Sequence, residues 1–439
     1  MTLWILTIAT ALANPAPGSV RPPGHIYQVP WWERTPPPIP PPEATEPPVA
    51  QPYHLGEFDP IEGVVMSSWP SDWSGTWVGM IAPLLERDIP VYVCDSPFGN
   101  AYPKNDLTSA GLDPDAVNWL DCSLDSVWMR DYGPFYTMDE DTTLMIGDAA
   151  YYSYARNDDN FPEQSSDWWG ESFYEIPLSM EGGNFYANGQ GVCVSTTTVY
   201  SWYSVSEEDA TAYYRDRLGC DTTIWLDPLI GEGTGHVDMY FTFVDANNAI
   251  VGSFTPEEDP ANASLLDAQA ETLESYGFTV HRVPMLPHDD INRDGWDDFH
   301  TVINGFFVST EDEKAFMMPT YNVRYPEETA AAREAMAAAM PDVTIIDVPT
   351  DSLIAYGGAI HCVTKTIPVQ AWPDPCNDPY DFNDTECVTE DSDTGDTAEP
   401  TPGTPKEEKE EGCGCATTAP ASPWALLLAL AIPLRRRRC

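Results

Sequence analysis

The residues best suited to chemistry in this chain are Cys362, His236, Asp131, Asp238 and Glu181. They sit in short polar signatures that recur along the chain. These are Trp128-Met129-Arg130-Asp131-Tyr132-Gly133-Pro134, Glu181-Gly182-Gly183-Asn184-Phe185, Gly235-His236-Val237-Asp238-Met239, Ile303-Asn304-Gly305-Phe306 and Gly358-Ala359-Ile360-His361-Cys362. Taken singly, each has an ordinary structural reading as a turn, a cap, a core histidine or a buried thiol. Taken together they offer a nucleophile, a proton carrier and several carboxylates. A thiolate is a strong nucleophile, and imidazole moves protons near neutral pH. Surrounding carboxylates hinder amide hydrolysis, because they raise a thiol's pKa and repel an oxyanion. They suit a cationic electrophile. A guanidinium is planar and pairs bidentately with carboxylates. Two aspartates gripping its nitrogens would hold its central carbon over the cysteine, and the bound cation would favour the thiolate. The expected chemistry is nucleophilic attack on a guanidino group.

The elements that position this set repeat. Successive signature residues, from Asp131 through Glu181, His236 and Asn304 to Cys362, lie 50, 55, 68 and 58 residues apart. A near-constant period means repeated supersecondary units. Hairpins follow the signatures, as in Tyr240–Phe243 turning into Ala249–Val251, and Phe306–Val308 into Ala315–Met317. Helical patterns cover Gly79–Glu86, Glu207–Leu218, Ala263–Tyr276 and Glu327–Met340. Apolar strands follow at Val91–Val93, Thr223–Trp225, Phe278–Val280 and Val343–Ile346. The expectation is an α/β fold: a closed ring of five ββαβ modules, with all signatures reaching one central cavity.

In its motif order the chain resembles the guanidine-modifying enzymes, which are five-bladed α/β propellers (penteins) with pseudo-fivefold symmetry. Within them it is most similar to the Porphyromonas-type peptidylarginine deiminases and the related agmatine deiminases. The resemblance runs from Glu57 to Lys365, through Trp69-Pro70, Trp128–Pro134, Glu181–Asn184, Gly235–Asp238 and His361-Cys362-Val363-Thr364. It implies Cys362 as nucleophile, His236 as general acid and base, Asp131 and Asp238 as the guanidinium clamp, and Glu181 as a partner of His236 or part of the carboxylate shell. Trp128, Asn184 and Asn304 are expected to bind substrate. The implied reaction releases ammonia, passes through a Cys-linked thiouronium, needs no cofactor and leaves a ureido product.

Peptidyl-arginine is the expected substrate, with agmatine as the alternative; the partners are arginine-containing peptides or proteins, or agmatine. Arg156, in Tyr154–Pro162, resembles one of the arginines that bind a substrate carboxylate in the peptidylarginine enzyme; no second arginine stands beside it. Separately, Asp290-Ile291-Asn292-Arg293-Asp294-Gly295 has the spacing of a calcium loop, without a glutamate at its twelfth position. Asp290, Asn292, Asp294 and Asp298 are expected to hold a structural calcium in the insertion that lengthens the fourth interval.

The ends read as address labels around a catalytic body at 54–375. Residues 1–13 have the apolar run and Ala-x-Ala ending of a signal peptide. Residues 14–53 form a proline-rich linker, and 376–415 an acidic, Thr/Pro-rich one. Residues 416–439 carry an apolar segment ending in four arginines. This tail resembles the sorting tails of myxobacterial surface proteins, which implies export to the cell surface, either anchored in the outer membrane or secreted. Membrane contact is expected only through that tail. Both linkers are expected to be disordered. The chain holds 20 Lys+Arg against 70 Asp+Glu, a net charge of −50. Such a field repels nucleic acid and attracts cations. Ten cysteines without a CxxC pair fit an export setting with disulfides. The near pairs are Cys94/Cys122, Cys193/Cys220 and Cys376/Cys387, but spacing leaves the connectivity open. Three rival readings are a non-catalytic surface binding protein on the same fold, an amidinotransferase and a cysteine peptidase.

Overall fold

The apolar hairpins and amphipathic helices assemble into repeated small sheets. The computed structural model describes residues 52–95, 101–139, 142–203, 205–291 and 297–369. All fall within the first of two units, Met1–Asp384; the second, Thr385–Cys439, lies outside the described residues. The expected leader and the C-terminal linker and tail are also outside them, as is all but the end of the proline-rich linker.

Strand β1 (Ile61–Ser67) is followed by α1 (Ser74–Glu86), β2 (Val91–Asp95), α2 (Ala101–Ser109) and β3 (Asn118–Ser123). Helix α1 buries Trp77, Met80, Ile81 and Leu84, spaced as one helical stripe. Each such side chain contributes about 2 kcal/mol by leaving water. The next unit holds a single turn, α3 (Met129–Tyr132), then β4 (Phe135–Met138), β5 (Leu144–Ala150), α4 (Arg156–Asp159), α5 (Phe161–Trp169) and β6 (Ser172–Ser179). The third holds β7 (Tyr186–Ala187), β8 (Val192–Thr196), α6 (Thr198–Ser201), α7 (Glu207–Leu218) and β9 (Thr222–Leu226). The fourth holds β10 (Phe241–Phe243), β11 (Asn248–Ser253), α8 (Pro260–Ser275) and β12 (Thr279–Pro284). A two-stranded ribbon, β13 (His288–Asp289) with β14 (Asp298–Phe299), precedes the fifth unit of β15 (Phe306–Phe307), β16 (Ala315–Thr320), α9 (Pro326–Ala339) and β17 (Thr344–Pro349).

Each of the last four units pairs its first two strands antiparallel and its last two parallel across the helix. In the first sheet the antiparallel partner comes from the other end of the body. Strand β18 (Thr364–Pro368) pairs with β1, Val64 opposite Thr366, giving the order β18-β1-β2-β3. Both expected hairpins form, with Phe241 opposite Val251 and Phe306 opposite Met317.

Local chemistry sets the helix ends. Ser206 caps α7 by accepting from the Asp209 N–H, three acidic residues fill its first turn, and Gly219 ends it in the left-handed region at φ 72°. Asp259 caps α8, and Pro260 and Pro326 occupy first-turn positions in α8 and α9. Two disulfides, Cys94–Cys122 and Cys193–Cys220, tie β2 to β3 and β8 to the end of α7. Cys362 is a free buried thiol. Among the described residues no helix is long and apolar enough to cross a membrane.

The signatures occupy equivalent places. Each is the tight turn ahead of a strand: α3 before β4, Gly182–Asn184 before β7, Val237–Met239 before β10, Asn304-Gly305 before β15, and the turn at His361-Cys362 before β18.

Candidate active site

These turns bring the five side chains into one buried cluster. Asp131, Asp238, His236 and Cys362 are each at most 2 % exposed, and Glu181 is 5 % exposed. The clearest marker of their convergence is Gly183. A Cβ placed there would lie 2.6 Å from His236 Nδ1, 2.9 Å from Asp131 Oδ1 and 3.0 Å from Asp238 Oδ2. A side chain at this position would displace three of the five groups, so the signature needs glycine for space. Gly358 serves the same purpose: its Cβ would meet Cys362 Sγ at 2.7 Å and the Trp128 ring at 3.0 Å. Trp128 is thereby placed close to the thiol.

His236 Nε2–H donates to Glu181 Oε2 at 2.6 Å, and its Nδ1 faces Asp131 Oδ1 at 3.7 Å. The turn before it is folded by Glu232, whose carboxylate accepts from the Thr234 N–H and hydroxyl and from the Gly235 N–H. Burial opposes a charge on His236, but Asp131 and Glu181 outweigh it and push its pKa up to about 10. It is an imidazolium at neutral pH.

Cys362 Sγ lies 3.3 Å from Asn304 Nδ2 and 3.6 Å from Asp238 Oδ2. Burial, then the charges of Asp238 and Asp131, hold its thiol well above the ordinary range. A cation entering between those carboxylates would reverse that electrostatic effect. Asp238 Oδ2 also accepts from His361 Nδ1–H at 2.7 Å, while Oδ1 has no hydrogen-bond partner among the described residues.

The remaining expected residues divide. Asn304 touches the nucleophile: its amide also donates to the Asp238 carbonyl at 3.4 Å and accepts from the Ala359 N–H at 3.1 Å. Asn184 has protein partners. Expected at the substrate, its amide donates to Thr198 Oγ1 at 2.8 Å and accepts from the Thr196 and Val237 N–H groups. It ties the Glu181 turn to the turn bearing His236 and Asp238. Arg156 is exposed at the start of α4, and no contact joins it to the cluster. Of the expected calcium ligands, Asn292 and Asp294 lie outside the described residues. Asp298 is buried in β14, and its Oδ2 accepts from the Ile291 N–H at 2.8 Å. Among the described residues no group of three or more His, Cys, Asp or Glu side chains is arranged to hold a metal, so the calcium expectation, Asp290 included, has no structural support.

Several buried polar residues beside the cluster escape motif reading. Glu57, Arg130, His361 and Lys365 form a layer behind Asp238 and Cys362. Arg130 Nη1 donates to Glu57 Oε1 at 2.5 Å, and His361 Nε2 to Glu57 Oε2 at 2.9 Å. Burial lowers the Lys365 pKa to about 7, helped by the Arg130 charge. Tyr151 is 2 % exposed, and its hydroxyl has no hydrogen-bond partner among the described residues. Arg130 and His361 stand inside two of the signatures, which is the signal that could have found them.

The Porphyromonas-type peptidyl-arginine deiminase family model matches residues 55–368. The chain is 24% identical over 328 residues to the agmatine deiminase of Pseudomonas aeruginosa (strain UCBPP-PA14), spanning 66% of this chain and 85% of that protein. Two solved structures share the fold. The agmatine deiminase of Enterococcus faecalis superposes with TM-score 0.62 at 20% identity, covering 75% of this chain and 99% of that one. The agmatine deiminase of C. jejuni, solved with substrate bound, superposes with TM-score 0.58 at 17% identity, covering 72% and 96%. With the family match covering most of the chain and ending one strand beyond the free thiol, the chain belongs to the Porphyromonas-type peptidyl-arginine deiminase family and is a hydrolase of amidine carbon–nitrogen bonds.

Proposed function

We propose that the protein deiminates a small guanidino cation, with agmatine the best-supported substrate. The observation that carries this reading is the pair Asp131 and Asp238 converging with His236 at Gly183, next to the free thiol of Cys362. The named relatives support agmatine over peptidyl-arginine.

The steps follow from the charges. The guanidinium enters between Asp131 and Asp238 and offsets the field that keeps Cys362 protonated, so that the thiol releases its proton to solvent. The thiolate attacks the guanidinium carbon. His236, charged at rest, gives its proton to the departing nitrogen, and ammonia leaves. The thiouronium carbon then takes a water whose proton returns to His236, held by Glu181. Expulsion of the thiolate, with transfer of the remaining hydroxyl proton back to Cys362, leaves the ureido product and the resting thiol.

Peptidyl-arginine is the second reading, favoured by the family matched. The test is ammonia and ureido release by the purified chain offered agmatine, free arginine, an internal-arginine peptide and a C-terminal-arginine peptide. Agmatine turnover lost in Cys362→Ala is expected. Turnover of peptides alone would replace agmatine with the second reading, and no turnover of any guanidine would refute both.

Two finer points belong to the same reading. The five sheets of three or four strands and the β18–β1 pairing support a closed five-bladed propeller. The apolar leader and arginine-ended tail support an exported, surface-displayed protein; fractionation of the native cells tests this.

A further inference from the structure

The mechanism leaves unused the residue beside the nucleophile. His361 is fully buried. Its Nδ1 meets Asp238 Oδ2 at 2.7 Å and its Nε2 meets Glu57 Oε2 at 2.9 Å. An ionised carboxylate only accepts hydrogen bonds. Burial works against a charge on Glu57, yet Arg130 and His361 hold it well below the usual carboxylate range. Each ring nitrogen of His361 thus faces a carboxylate acceptor, an arrangement in which both can donate. Tyr186 stacks on it at 5.3 Å and 16°, with its hydroxyl 3.3 Å from Nε2. Arg130 fixes the far end. Its side chain binds Glu57 and the His361 carbonyl, and its backbone N–H donates to the Cys362 carbonyl at 3.1 Å.

We propose that Arg130, Glu57 and His361 form a buried relay that positions Asp238 and supplies a fixed positive charge behind Cys362. The inference rests on Cys362 being the nucleophile. His361 occupies Asp238 Oδ2, which leaves Oδ1 for the substrate cation. Its charge also offsets part of the negative field that a forming thiolate meets. The charged and titratable groups around Cys362 and His361 are Asp131, Asp238, His236 and Glu181 on the substrate side. Behind them lie Glu57, Arg130, Lys365 and Tyr186, with Tyr321 also coupled to the thiol. His361 is thus a positioning residue, and the relay reaches the first residues of the folded body through Glu57.

The test is the pH profile of Cys362 alkylation in the full chain, read by mass spectrometry of the Cys362 peptide, with thermal unfolding alongside. The reagents are iodoacetamide and 2-chloroacetamidine, a neutral and a cationic electrophile. His361→Asn keeps a donor toward Asp238 but removes the charge. Its profile is expected to move up by about one pH unit, near ten-fold slower labelling at neutral pH. In turnover, kcat should fall while KM does not rise, because Asp238 loses a competing cation. Arg130→Gln, which removes the relay's other positive charge, should shift the profile in the same direction, and it decides the matter if His361→Asn does not fold. A folded His361→Asn protein whose profile overlays the wild type overturns the relay. The expected shift in a protein that turns over no guanidine leaves the relay standing and removes the deiminase reading. Wild-type Cys362 that reacts with neither reagent overturns both.

Discussion

At the scale of single residues, the site is governed by charge. Cys362 and His236 have their pKa values pushed up by the same carboxylates, so the resting pair is a neutral thiol and an imidazolium. Asp131→Asn and Asp238→Asn should each lower kcat/KM by about a hundred-fold or more, since each removes a charged partner of the cation. Steady-state kinetics check this. The raised pKa of His236 also links to stability. Its contribution is fully present below pH ~6.5 and is lost as pH rises through about 10. The gap in Tm between wild type and His236→Gln should therefore shrink from pH 6 to pH 10; a constant gap would contradict the charge state assigned to His236. Residue types and motif order were enough to name this cluster. They were not enough to find Glu57, which meets His361 across 304 positions of sequence and belongs to no repeat signature. The role of Asn184 as a turn-to-turn tie was not legible either, because a signature asparagine reads equally well as a ligand, and only the hydrogen bonds show the tie.

At the scale of elements, each site residue depends on a turn ahead of a strand. Gly183→Ala tests this most sharply. Its new methyl falls within 3.0 Å of His236, Asp131 and Asp238 atoms, so activity should fall by about a hundred-fold or more, with far-UV circular dichroism unchanged. An active Gly183→Ala enzyme would mean that the three groups do not converge there. The long helices were legible from periodicity, and the expected Glu207–Leu218 matches α7 end for end. Helix α1 begins at Ser74, ahead of the expected Gly79, because Trp77 extends its buried stripe backwards. Helices α2 and α5 were missed. The first has a largely polar sequence with an internal proline, and the second is nine residues with Pro162 near its start and Gly170 at its end, so both resemble loops.

At the scale of the whole molecule, the ends of the folded body meet in one sheet, and the strand after Cys362 is the piece that joins them. Removing residues 364–369 should therefore unfold the first sheet and abolish activity together, which a truncation followed by thermal unfolding would show. One disulfide staples β2 to β3 within that sheet, and the other lies in the third unit. Each closes a loop of similar length, with separations of 28 and 27 residues, and each should contribute about 3 kcal/mol by restricting the unfolded chain. A Cys193→Ala/Cys220→Ala protein should melt earlier yet retain its activity at 25 °C, since neither sulfur approaches the cluster. The repeat period made this architecture legible, whereas the pairing of β18 with β1 leaves no local trace in sequence.

The central claim is that Cys362 attacks a guanidinium carbon, and the most direct measurement is a rapid acid quench during agmatine turnover, followed by mass spectrometry of the Cys362 peptide. The account predicts a transient adduct on Cys362 equal in mass to agmatine less ammonia, absent from Cys362→Ala. Ammonia release at full rate by Cys362→Ala, or turnover with no adduct on the wild-type peptide at any quench time, would contradict it.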